Sequence, residues 1–524
     1  MKLLFSALLC FLLSQSVTAQ DVTYPEGFDE PFPLFTKALG PFTRTISTQN
    51  ERAQTYFNQG IQMMYAFTKE DAARSFREAQ KADPTCAICH WGEAWAWGSY
   101  LNGPMTAAEA PRAYAAIQQA IQIKDQANDV ERALIEAMSV RYVQDFSADT
   151  RAVQDSAYAR AMEGVADRFP NDLDAVTLYG ESLFLLEARR GARDVNDPDV
   201  IRLHEVLERV LKQDIQHPGA CHLYIHATES TQAPEKAEAC SEFLGNAIPG
   251  ASHINHMPSH TWNVIGRWGD GVRANIQAWH SDLKAEINEG FAIYPSHNLH
   301  MLLFAASMDG QGALAVQAGR DYEKLTGNNL YVGLTMVRFG RFEEIDGLSK
   351  RPENGVFGGM WDFSKGYAAL RKGDADFARV YALRVLQAAD SSDASFRGHS
   401  AKNLLGTLGN ILLGEVNRSE KKADAALSNF RLAVQIEDEL IYDEPEPLPF
   451  AARHWLGAQL LEMGSFAEAE AVYRAELKDH PHNGWSLFGL LEALKGQNKT
   501  DAAVQEDFDK SWARSDTWIR GSRF

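Results

Sequence analysis

Five residues near the start of this chain recur near its end at the same spacing. Gly60, Ala72, Phe76, Ala79 and Pro84 lie 12, 4, 3 and 5 positions apart, and Gly457, Ala469, Tyr473, Glu476 and Pro481 repeat those intervals. Small residues let two antiparallel helices approach closely, an aromatic ring fills the gap between neighbours, and proline ends the second helix. Glu476 departs from the pattern, because the matching position holds the small Ala79. Looser copies lie between. Arg168-Phe169-Pro170-Asn171, Gln216-His217-Pro218-Gly219 and Ile248-Pro249-Gly250 each close one apolar helix before another opens, while Gly266-Arg267-Trp268 and Gly464-Ser465-Phe466 read as turns inside a helix pair. Strand signals are almost absent. The pattern predicts an all-α solenoid of antiparallel helix pairs over residues 50–524, with the first helix of each pair on the inner surface. Residues 20–49, with Pro25, Pro31, Pro33 and Pro41, predict an irregular N-terminal arm; Asp194–Asp199, Asn354–Phe363 and Tyr442–Pro449 predict loops or inserts.

Composition bears on compartment and partners. With hydrophobic residues at 45%, a core can form and wholesale disorder is excluded. Asp and Glu number 70 against 51 Lys and Arg, a net charge of −19, so no nucleic-acid partner is expected. Met1–Ala19 has Lys2, an apolar stretch from Leu3 to Leu13, and Val17 and Ala19 one residue apart. That is a signal peptide cut before Gln20; its apolar stretch is about half of the ~20 residues a membrane span needs. The expectation is an exported protein, periplasmic or extracellular, with no transmembrane span. Export removes Cys10 and leaves Cys86, Cys89, Cys221 and Cys240, an even set for an oxidising compartment.

Histidines concentrate in residues 217–310. His222 and His226 are four apart with Glu229 three further on; His253, His256 and His260 are spaced three and four; His297 and His300 are three apart. Such spacings put each set on one helical face, within ~6 Å, the reach of a shared cation. The sets follow Pro218, Pro249 and Pro295, so each occupies an opening helix of consecutive pairs. Stacked side by side, those helices bring seven imidazoles and Glu229 toward one point. Imidazole suits zinc, copper or iron. A catalytic ion would activate water with Glu229 as proton acceptor. Glu181 and Tyr224 are further candidates for the groove, as are Tyr100 and Trp262, while Trp91, Trp95, Trp455, Trp485 and Met257 read as core. The acidic runs Glu437–Glu439 and Asp443–Glu446 read as a solvated face and loop, or as an acidic groove mouth.

Cys86-Ala87-Ile88-Cys89-His90 fits the attachment pattern of c-type haem as well as a local disulfide or paired thiols, the disulfide being preferred. Cys221 and Cys240 are candidates to bridge two helices. The five-residue spacing resembles the tetratricopeptide repeat. Asp83–Gly92, His217–Ala220, Tyr224–Ala227, His256–His260 and Asn483–Gly489 are similar to motifs of exported bacterial tetratricopeptide-repeat proteins, over nearly the whole mature chain. That resemblance implies a helical-repeat fold and export, without an assigned activity. In that family the residue after the second cysteine is more often aromatic than histidine, which speaks against haem.

Three functions compete, the third being a metal carrier or a haem protein. The first is a metal-binding solenoid, hydrolytic or oxidative if it is an enzyme. The second is a non-catalytic scaffold holding a protein, peptide or small molecule along its groove. A peptide groove spreads Asn, Lys and Arg over many repeats, whereas these histidines are gathered in three, which favours a point-like site.

Overall fold

The computed structural model describes residues 22–187, 191–348 and 350–524, so the expected signal segment, Met1–Ala19, lies outside the described residues. The chain is an all-α solenoid of tetratricopeptide type, each helix packing chiefly on those before and after it. Among the described residues the only ladder is a two-residue antiparallel pairing of Ser395–Phe396 with His399–Ser400. Among them, too, no helix is long and apolar enough to cross a membrane.

The repeat spacing is a packing rule made visible. A Cβ on Gly60 would come within 2.7 Å of the Phe76 ring, and one on Gly92 within 2.5 Å. Each ring is thus clamped between the opening helix of its own pair and that of the next. Tyr473 sits in the same way between Gly457 and Gly489 (2.4 and 2.1 Å). A further copy, Gly414, Ala426, Phe430 and Ala433, keeps the spacing but has Asp438 where proline would stand.

Residues 22–49 hold turns but no helix. Gln59 and Gln62, buried on the first helix (Glu51–Tyr65), donate to the carbonyls of Pro33 and of Gly40 and Phe42 and so fasten this arm. Asn354–Phe363 is corrected: it is not an insert but the start of the Gly355–Arg371 helix, capped by the Asn354 side chain. Its glycines serve packing rather than a turn, since a Cβ on Gly359 would lie 2.5 Å from Leu405. Tyr442–Pro449 is non-helical.

Two hydrophobic clusters divide the solenoid, one reaching from Phe28 to Phe291 and the other from Val272 to Leu494. The superhelix then turns back on its middle. The Trp268 indole donates to the Pro481 carbonyl, Trp485 to that of Ser307, and Arg514 pairs with Asp309. Asp516 accepts the Gly312 and Ala313 N–H groups, capping a helix some two hundred residues upstream. The histidines lie at the junction of the two clusters.

Candidate metal centre

Three helical stretches carry the imidazoles: Pro218–Thr228, the stretch from Ser252 to Val264 bent at Pro258, and Pro295–Met308. Each has a proline at its first helical position or bend, where a missing N–H costs no hydrogen bond. The first is buried on every side. Its N-cap, His217, accepts the Ala220 N–H at Nδ1, which leaves Nε2 toward Asp174 at 3.3 Å. Asp174 also takes Arg44 from the N-terminal arm and the Tyr65 hydroxyl. Burial opposes its ionisation, yet His217 and Arg44 hold it well below the usual carboxylate range. The arm thereby fixes the foot of the helix that carries His222 and His226.

Six rings form one contiguous array, with neighbouring centroids 4.8–5.6 Å apart: His222, His226, His253, His256, His260 and His297. Two sets without shared members, His222/His226/His253 and His256/His260/His297, each bring one ligand atom per residue within 4.8 Å of the others. His222 donates Nδ1–H to the Tyr65 carbonyl at 2.6 Å, so its Nε2 carries a lone pair and faces His253 Nε2 at 3.1 Å. His253 Nδ1 meets His256 Nε2 at 3.2 Å. The first separation, inside one set, matches the edge of a tetrahedral site with ~2.0–2.1 Å bonds, about 3.3 Å; the second links the two sets.

Glu229 joins the two sets. One of its oxygens lies 2.7 Å from His226 Nδ1 and the other contacts His260 Nδ1. A carboxylate only accepts, so both rings carry Nδ1–H and turn a lone pair out at Nε2. Those two Nε2 atoms, and His256 Nδ1, are buried without a hydrogen-bond partner. Burial, then neighbouring imidazoles, push His222, His253, His256 and His297 well below the usual histidine value. They are neutral and ready to donate lone pairs. Burial opposes protonation of His260 as well, but Glu229 outweighs it and holds that ring above its usual value. His260 and His226 in turn keep Glu229 below the carboxylate range against its burial.

Other expected site residues lie elsewhere. His300 stacks on Tyr331 at 4.4 Å, with Nδ1 toward the tyrosine hydroxyl, and belongs to none of the ligand sets. Glu181 accepts the Trp95 indole N–H, and burial pushes its carboxyl up. Tyr224 points the other way and donates to Glu208. Cys86 and Cys89 are bonded to each other at the head of the Ala87–Trp97 helix, inside the N-terminal core, which leaves neither sulfur for a haem thioether. His90 beside them is half-buried, and burial lowers it. Cys221 and Cys240 form a second disulfide, one residue from His222.

Of the two readings of the acidic run Asp443–Glu446, the solvated loop is corrected. Asp443 makes a bidentate pair with Arg397, and Glu444 reaches to 3.5 Å from His260, completing a four-residue set with His226, Glu229 and His260. Burial and Glu229 push Glu444 up. The three proline residues after Tyr442 were the available signal, since they stiffen a loop that must hold its place; nothing local says what it faces. Tyr442–Glu444 therefore covers the histidines where an open groove was expected. Beneath it remains a cavity of about 270 Å³ lined by His226, His260, His297, Tyr294, Arg193 and Arg397.

No protein-family model and no curated sequence matches the chain. Similar solved structures include the APC/C hetero-tetramer Cut9–Hcn1 (11% identity, TM-score 0.30, covering 90% of this chain and 79% of that one). Human IFIT1, a dimer with m7Gppp-AAAA, is 12% identical (TM-score 0.29, 82% and 90%). The P58(IPK) TPR domain is 12% identical (TM-score 0.21, 85% and 98%). At these scores the likenesses carry no argument about function. The cap ligand is IFIT1's own, and the expectation of no nucleic-acid partner here continues to rest on charge alone.

Proposed function

We propose that this chain is an exported helical-repeat protein that holds transition-metal ions, zinc, copper or iron, at its histidine centre. The observation that carries the proposal is the donor set: two separate imidazole triads, five of their six rings buried, with ring nitrogens of His226, His256 and His260 unpartnered. Leaving a buried lone pair unmatched costs about 1–3 kcal/mol, a cost a coordinated cation offsets. Glu229, with both oxygens engaged, orients His226 and His260 by holding their protons at Nδ1, as carboxylates do behind metal-ligating histidines.

Structural metal sites are closed, whereas reactive ones leave a position open. The cavity beside His226, His260 and His297 supports the second kind, with room for a small molecule and with Arg193, Arg397 and Tyr294 around it. A metal held there would supply Lewis-acid polarisation of that molecule. The two disulfides support an oxidising compartment. A long peptide groove has less support, because the chain's own Tyr442–Glu444 segment lies on the histidine face.

Protein purified without a tag from its native compartment should contain one to two metal ions per chain by elemental analysis. Replacing His226 and His256 together by alanine should empty it. Full metal content in that double variant overturns the assignment.

A further inference from the structure

On the other side of the Tyr442–Glu444 segment lies a larger cavity of about 550 Å³, with His260 and that segment in the walls of both. One wall is apolar, built by Val264, Trp268, Met301, Phe304 and Ile441. Facing it are the carboxylates of Glu437, Glu446, Glu476 and Asp479. The cations near the cavity are shared. Asp438 and Asp479 both face Arg453, Glu446 and Glu476 both face His480, and Asp443 pairs with Arg397.

Glu437 has no such pair. It accepts the Ala452 N–H at both oxygens and makes no ion pair among the described residues. Burial and the adjacent Glu446 push its carboxyl up to about 8. Burial likewise raises Asp479. His260, 3% exposed, adds an unpartnered Nε2 to the same wall. Carboxyl groups here outnumber the side-chain cations that face them, since Arg453 and His480 each serve two acids. A bare metal ion is a poor match, because among the described residues the donor atoms close enough to share one all belong to the histidine centre.

We propose that this cavity binds an organic ammonium ion with a compact apolar body. The ammonium sits at Glu437 and Glu446, where it supplies the missing charge, and the apolar part lies against Trp268 and Phe304, whose ring faces favour cations nearby. Its far end reaches His260, so a molecule seated here stands next to the metal centre.

The site uses only this chain's side chains and is tested on metal-free protein, so its failure and that of the metal assignment are separable. Titration calorimetry of the chelator-stripped full chain would compare hexylammonium, hexanol and hexanoate at pH 9, where the Glu437 carboxyl, pushed up to about 8, is ionised. Hexylammonium should bind once per chain, and hexanol and hexanoate far more weakly. Glu437→Gln and Glu446→Gln should each weaken it about two- to fivefold, roughly one ion pair. Glu446 is half-exposed, so its variant keeps the fold, checked by circular dichroism. Equal binding of hexanoate or hexanol overturns the proposal. So does hexylammonium binding that is absent, or unchanged in both variants.

Discussion

Replacing Glu229 by glutamine changes one buried oxygen into an NH₂ group and nothing in size. In the parent both oxygens accept, one from His226 Nδ1 at 2.7 Å and the other from His260 Nδ1. Glutamine offers one acceptor and one donor. One ring can keep its Nδ1–H; the other must turn a lone pair toward the amide and move its proton to Nε2. An Nε2–H cannot ligate, so one of the two triads loses a donor. Loss of such an orienting partner typically costs 10- to 100-fold in metal affinity, which is about 1.4–2.7 kcal/mol. Competition against a chromogenic chelator with Zn²⁺ reads affinity and stoichiometry together. The expected curve for Glu229→Gln has one class of site close to the parent and one weakened at least about tenfold. Parent-like affinity at every site refutes the orienting role. If turnover were lost while affinity held, Glu229 would be the proton acceptor that its spacing first suggested.

Chelation should lower thermal stability reversibly: at metal a hundredfold above its dissociation constant the ligand contributes about 2.7 kcal/mol. Differential scanning fluorimetry should show that shift for at least one of zinc, copper or iron and none in the His226/His256 double alanine variant. Glu476 predicts an acid limb. Burial would raise its carboxyl, but His454 and His480 hold it at about 2. A lowered carboxyl stabilises the fold fully above its ordinary value near 4.5 and loses that contribution as pH falls toward 2. From 4.5 to about 2 is worth on the order of 3 kcal/mol. Urea unfolding between pH 5 and pH 2 should therefore fall less steeply in Glu476→Gln, and parallel curves would remove the assignment.

The architecture was legible because the repeat spacing is set by contacts inside a pair and with its neighbour. Gly60, Phe76 and Gly92 touch, and so do Gly457, Tyr473 and Gly489. The three histidine stripes were legible for the same reason, since three- and four-residue spacing encodes a helical face. What periodicity could not encode was the path of the superhelix. It turns back through contacts such as Trp268 with Pro481 and Arg514 with Asp309, each more than two hundred residues apart in sequence. That turn delivers Glu444 to His260, so an acidic run that reads as solvated becomes part of the site. His300 fails in the opposite sense: one turn beyond His297, it passes the array and meets Tyr331. Glu476 was visible as a broken repeat rule, and its burial among His454, His480, Asn483 and Ser486 gives the reason.

The geometry of the centre is set by anchors that do not need a metal. The Cys221–Cys240 disulfide holds the helix one residue from His222. Tyr65 grips the same helix twice, accepting His222 Nδ1–H at its carbonyl and binding Asp174, which faces the His217 cap, through its hydroxyl. Arg44 ties that acid to the N-terminal arm. Rings placed in this way pay little further ordering entropy on ligation, unlike the ligands of small metal domains that are unfolded without their ion. Two consequences follow together. Metal-free protein keeps its helices, so chelation lowers stability without unfolding the chain. And Arg44→Ala, a change in the N-terminal arm outside every ligand set, weakens metal binding through the register of the Pro218–Thr228 helix.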